Sequence, residues 1–237
     1  MNTMSASRAD SPDARPVLVW DAPLRVFHWL LALCFAGAYL SAESEALRPL
    51  HVTLGYTMAG LLAFRIVWGF VGPRHARFAD FVRGPGAALR HLRALMRGRA
   101  GHHAGHNPAG AIAIVGLLVL TALVTASGWA TLQGAEWLED VHEALASAML
   151  ALVGLHVAAV LLSARLLHEP LVGAMIHGKK PVAPEEGIRG PRRAMAVVLL
   201  AAVLGFWTWQ WRVETHQAAG GAVPTLSRHA MENARDR

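Results

Sequence analysis

"VHEALASAMLALVGLH", residues 141–156, decides how the rest of the chain is read. The stretch is apolar apart from Glu143, Ser147 and a histidine near each end, His142 and His156. An ionisable side chain within a greasy helix is costly, and its default reading is functional. The two histidines are 156 − 142 = 14 residues apart. At about 100° per residue that falls roughly 40° short of four turns, so both imidazoles share one face. At about 1.5 Å of rise per residue they stand roughly 21 Å apart along the axis. A helix carrying them through a bilayer puts one near each surface.

The composition points to a bilayer. Of 237 residues, 54% are hydrophobic and 16% charged, where a soluble domain carries about a quarter of its residues as charge. Runs of about 17–25 apolar residues mark spanning helices. Five are predicted, at roughly 24–42, 50–70, 108–133, 138–166 and 194–211. The second and fifth end in aromatics, with Trp68 and Phe70 on one and Phe206, Trp207, Trp209 and Trp211 on the other. Such residues settle at the membrane–water boundary. The opening stretch to Val17 is polar and lacks the order of a cleaved signal peptide, so the first helix is expected to stay attached. Cys34 is the lone cysteine, which excludes a disulfide framework and a Cys-x-x-Cys-His attachment for covalent haem.

Charge sets the expected orientation. The loop after the second run holds seven arginines, from Arg74 to Arg99, against Asp80. The loop after the fourth holds Lys179, Lys180, Arg189, Arg192 and Arg193, partly offset by Glu169, Glu185 and Glu186. The turn between the third and fourth is acidic, with Glu136, Glu139 and Asp140. Basic short loops stay in the cytoplasm, so the N-terminus and both long loops are expected inside. The two short turns and the C-terminal tail are then outside. The net charge of +6 is read as this loop bias rather than as a nucleic-acid surface.

Of thirteen histidines, four fall at helical positions: His28, His51, His142 and His156. His28 opens the first helix near the inside, and His51 opens the second near the outside. Depth therefore pairs His28 with His156 and His51 with His142. Two pairs at two levels suit two bis-histidine haems. Neutral imidazole is a good axial ligand, and filling both axial positions leaves an iron suited to passing electrons. The macrocycle can lie between bundle helices, and Gly55, Gly60, Gly116, Gly128 and Gly154 supply room. Propionates seek guanidinium groups, and Arg25, Arg65 and Arg165 near the inner ends, with Arg48 outside, are the candidates. The competing reading is a small transporter that uses the same histidines for protons or a metal.

The residues also resemble a known family. "DAPLRVFHWLLA" (21–32), "LHVTLGYTMAGLLAFRIVWGFVGPRHARFADFV" (50–82) and "EDVHEALASAMLALVGLHVAAVLLSARLLHEPLVGAMIHGKK" (139–180) are similar, in order, to the bacterial di-haem cytochrome b-561 group, which includes the membrane subunit of nickel–iron hydrogenases. The likeness spans about residues 19–180. Carried over by position, the axial ligands fall on His28, His51, His142 and His156. The resemblance implies an all-α four-helix bundle in the inner membrane holding two haem b groups. It also implies electron traffic between the quinone pool and a periplasmic partner, a hydrogenase or a soluble cytochrome c. A free-standing quinone oxidoreductase stays open beside it, and so do the direction of flow and the oligomeric state.

The division expected is an N-terminal cytoplasmic segment at 1–18, the di-haem domain at 19–180, and a fifth helix with its tail at 181–237. The family assigns that last part no role, and a stabilising anchor is its simplest reading. "GHHAGHNP" (101–108) is read as a solvated loop rather than a metal site. Arg65 and Trp68 could line a quinone pocket, and Glu136, Glu139 and Asp140 could steer a basic partner. No Walker-type loop, Ser–His–Asp set or pair of catalytic carboxylates is present.

Overall fold

The computed structural model describes residues 15–81 and 108–221, with positions 86, 89, 90, 93, 97 and 105 between them. Most of the histidine-rich tract and the tail beyond 221 lie outside the described residues. Four long helices follow one another: α1 Ala22–Ser41, α2 Arg48–Val71, α3 Pro108–Leu132 and α4 Glu139–Leu167. One helical turn at Phe78–Phe81 follows α2, and a short α5, Leu171–His177, and a long α6, Arg193–Gly221, follow α4. Helix α1 packs on α2, α2 on α3 and α3 on α4.

Helix starts follow local chemistry. Asp21 caps α1, its Oδ1 accepting the Leu24 N–H at 3.3 Å, with Pro23 in the first turn. Helices α2 and α4 each follow a single 3-10 turn, Glu45–Leu47 and Glu136–Leu138. Helix α4 stops at His168, which takes the left-handed conformation at φ 52°, just before Glu169 and Pro170. Gly178 caps α5 at φ 82°, and a Cβ there would stand 2.6 Å from the Trp20 carbonyl. That carbonyl and the positive φ together require glycine.

The helix surfaces are those of a chain solvated by lipid. Leu33, Leu40, Phe70 and Leu155 are each about two-thirds exposed or more, which would aggregate in water but matches hydrocarbon. Five segments are long and apolar enough to span: Ala22–Ser41, Glu45–Val71, Gly110–Leu132, Glu136–Leu166 and Arg193–Val213. Hydroxyls inside them turn back on their own helices. Ser41 donates to Gly37 O, Thr57 to Thr53 O, Thr121 to Leu117 O and Thr131 to Ser127 O. Such back-bonding satisfies a hydroxyl where no water can.

One feature departs from the all-helical expectation. Arg15–Leu18 (β1) pairs antiparallel with Lys179–Val182 (β2), in the register Arg15↔Val182 to Leu18↔Lys179. Val19 and Trp20 N–H then donate to Gly178 O, and Ile188 N–H to Leu18 O. Lys180 is buried and ion-paired to Glu169 at 2.8 Å. This strap ties the lead-in of α1 to the segment after α4.

The chain divides into two compact units, 1–197 and 198–237. The first holds the four long helices. The second, taken by itself, continues α6 to Gly221, with Trp209 and Trp211 exposed along it.

Packing at the end of α2 is tight. A Cβ on Gly69 would lie 2.0 Å from the Phe78 ring, and that ring stacks under the Arg65 guanidinium at 4.7 Å. Gly69→Ala is therefore expected to cost about 1–3 kcal/mol through overpacking. Gly60→Ala meets nothing within 4 Å and serves as the reference. The check is the thermal midpoint of the two variants in detergent, and equal midpoints would refute this packing account.

Candidate haem sites

His51 and His142 are built alike. Each is the fourth residue of its helix, α2 from Arg48 and α4 from Glu139, directly after a 3-10 turn. Their rings face each other with centroids 6.2 Å apart and planes at 80°. His51 Nδ1 lies 2.8 Å from Ala38 O, and His142 Nδ1 lies 3.0 Å from Val124 O. A carbonyl only accepts, so each Nδ1 carries the proton, and each Nε2 keeps its lone pair. The Ser127 hydroxyl stands 3.1 Å from the same His142 nitrogen. Holding one ring nitrogen to a carbonyl so that the other can ligate is the usual support of a metal-binding histidine. Two metal–nitrogen bonds of about 2 Å, with the rings beyond them, put imidazole centroids on the order of 6 Å apart. The ring separation fits one metal ion between the two.

Gly128 on α3 forms the floor of this pair. A Cβ there would meet His142 Cε1 at 2.9 Å and Nδ1 at 3.2 Å. A Cβ on Gly116 would stand 3.1 Å from Leu152, whereas one on Gly55, Gly60 or Gly154 would meet nothing within 4 Å.

Towards the N-terminal end, His28 on α1 is close enough to His156 on α4 for their charges to interact. The Nδ1 of His28 is buried, with no hydrogen-bond partner among the described residues. Leaving such a group unmatched costs about 1–3 kcal/mol, so this position suits an imidazole with a non-protein partner. His51 and His142 are thus brought ring to ring, and His28 and His156 lie within electrostatic reach of one another.

Of the four predicted guanidiniums, Arg165 is exposed, and Arg25 and Arg65 part company. Arg25 is spent on backbone, with Nε donating to Asp21 O at 3.4 Å and Nη1 to Ile176 O. Arg65 is 2% exposed, and its Nη1 has no partner among the described residues. It is the guanidinium with a buried donor to spare, as a propionate would need. Arg48 pairs loosely with Glu45 at 3.9 Å on the surface.

Sequence reasoning missed the cluster beneath Arg65. Asp21, 1% exposed, accepts the Trp68 indole N–H on Oδ2 at 2.9 Å while Oδ1 caps α1. The Trp68 ring stacks on Phe64 and lies 5.5 Å from the Arg192 guanidinium. Burial pushes the Asp21 carboxyl above the usual carboxylate range, against the Trp68 and Leu24 N–H groups and the Arg192 and Arg65 charges. Asp-x-Pro at a helix start was the available signal. His75, also buried, bonds to Glu186 O through Nε2 at 2.7 Å and meets Trp20 edge-on. It fell among the loop histidines on sequence alone.

A family profile described as prokaryotic cytochrome b561 matches residues 19–178. A "Probable Ni/Fe-hydrogenase 1 B-type cytochrome subunit" of Escherichia coli (strain K12) is 28% identical over 138 residues, covering 47% of this chain and 58% of that protein. The "Probable Ni/Fe-hydrogenase B-type cytochrome subunit" of Rhizobium leguminosarum bv. viciae is 31% identical over 88 residues, covering 30% and 37%. Its counterpart in Azotobacter vinelandii is 37% identical over 79 residues, covering 26% and 33%. The chain thus spans little more than half the length of the first of these relatives, and less of the other two. No solved structure gives a significant match.

Proposed function

Because this chain belongs to the prokaryotic cytochrome b561 family, we propose that it is a membrane electron-transfer subunit with two haem b groups, one at each end of its four-helix bundle. The facing His51–His142 pair carries the proposal, since both rings are already held to carbonyls and both keep Nε2 for iron. In this reading His51 and His142 hold the outer haem, and His28 and His156 the inner one. A haem bound between such a pair would supply one-electron redox chemistry.

The chain's own residues do the rest. Ala38 and Val124 carbonyls fix the tautomers at the outer level. Arg65 offers its spare donor to an inner propionate, while Arg25, committed to backbone, holds α1 against α5. By the positive-inside rule the N-terminal end faces the cytoplasm across the inner membrane. A haem held there by His28 and His156 would be placed to exchange electrons with quinone. The outer end serves a periplasmic redox partner, a hydrogenase as the relatives' names suggest or a soluble cytochrome c. Glu136, Glu139 and Asp140 at that end favour a basic docking face.

The test is a reduced-minus-oxidised spectrum with a pyridine haemochrome count on the purified chain. About two b-type haems per chain are expected. One haem would refute the relay, and none would return the four histidines to a transporter.

A further inference from the structure

Asp21 has more to do than cap a helix. It is 1% exposed, immediately before α1, and its two carboxyl oxygens are bonded separately, to the Leu24 N–H and to the Trp68 indole. From Asp21 to His28 is 28 − 21 = 7 residues. Asp21 is the N-cap of the helix that carries His28, so its carboxyl lies at the foot of α1, about 10 Å along the axis from that imidazole. The charged groups facing it are Arg65 from α2 and Arg192 from the segment leading into α6. On its own helix, Arg25 bonds the Asp21 carbonyl. Arg65 is the one with an unused buried donor, and it stands on α2 just before Trp68, whose indole holds the Asp21 carboxyl. A buried carboxyl beside a redox centre feels each electron that arrives, because charge in a poorly solvated interior is weakly screened.

We infer that Asp21 is the proton-linked partner of the inner haem, taking up a proton from the cytoplasmic side when that haem is reduced and releasing it on oxidation. This rests on the two-haem reading. The balance is one electron onto iron and one proton, from water at the N-terminal end, onto a carboxylate oxygen. Burial raises the proton affinity of Asp21 above that of an ordinary carboxylate. The added electron raises its proton affinity further, so the inner potential must fall as pH rises. Proton uptake would then be matched to electron arrival at the end where quinone chemistry needs both.

The experiment is a spectroelectrochemical titration of the full chain in detergent at several pH values. His51→Ala serves to mark the inner haem, and a haemochrome count is taken on every sample. A pH-dependent inner potential and a flatter outer one are expected in the unmodified protein. Asp21→Asn, which can still cap α1, should keep both haems and lose the inner slope. A slope that survives Asp21→Asn overturns the inference, as does a pH-independent inner potential in the unmodified protein. Should Asp21→Asn fail to fold, the infrared difference spectrum of the unmodified protein decides. A protonated-carboxyl band that appears on reduction and shifts in heavy water is required, and its absence overturns the inference. A count without an inner haem fails the two-haem reading itself, and is distinguishable from two haems with no slope.

Discussion

Replacing His142 with alanine is expected to leave about one b-type haem per chain in place of two. The remaining haem should be the inner one. The ring of His142 is the hub of its level. It faces His51 at 6.2 Å, donates to Val124 O, and rests on Gly128. Truncation would remove one of the two proposed ligands and leave Val124 O without that donor. A haem left with His51 alone would lack its second ligand, and ordinary purification should strip it. His51→Ala should give the same spectrum, because the two residues act as one site. His28→Ala or His156→Ala should remove the other component and spare this one. The redox-difference spectra of the four variants, with haemochrome counts, check the pairing. If His28→Ala removed the outer signal, the assignment of ligands to levels would be wrong. Electron transfer from a quinol analogue to an outer acceptor should be lost in all four, since either missing haem breaks the relay.

Much of this arrangement is legible in the sequence because bilayer physics is blunt. Hydropathy located the spanning helices to within about two residues at most ends, as unpaired backbone is intolerable in hydrocarbon. The exception is the end of α6. Arg212 marks where the chain leaves the oil, but leaving the bilayer does not end a helix, and α6 runs on to Gly221. The histidine pairing followed from depth and helical phase, which are properties of single helices. What sequence could not supply was contact between distant segments. Asp21 as an N-cap is readable from Pro23 nearby, yet its second oxygen meets Trp68, 47 residues on. The β1–β2 strap was equally hidden. Its strands are four residues long and each contains a proline, Pro16 and Pro181. Proline is tolerated there because both strands of a two-stranded sheet are edges. Arg25 and Arg65 looked equivalent as guanidiniums near helix ends, and only the position of α5 shows that one is spent on a carbonyl.

A glycine that ligates nothing should matter almost as much as a ligand. Gly128→Val is expected to weaken haem retention at the outer level on the order of 10–100-fold, the usual penalty for disturbing a ligand's support. The reason is steric and local. The Cβ alone would stand 2.9 Å from His142 Cε1 and 3.2 Å from Nδ1, so the branched side chain forces the imidazole away from α3. That movement stretches the Nδ1–H bond to Val124 O at 3.0 Å and shifts the ring from its place opposite His51. Gly128→Ala should sit between, with the haem kept but its spectrum altered, since the ring has only a few tenths of an ångström to yield. Ser127→Ala, by contrast, should be mild, because Val124 O still accepts the same proton. The ordering Ser127→Ala, Gly128→Ala, Gly128→Val in rising haem loss, measured against a competing apo-haem acceptor, is what a packed and tautomer-fixed ligand predicts. If Gly128→Val retained the outer haem unchanged, His142 would be free to reorient, and the preset geometry of the pair would carry no weight.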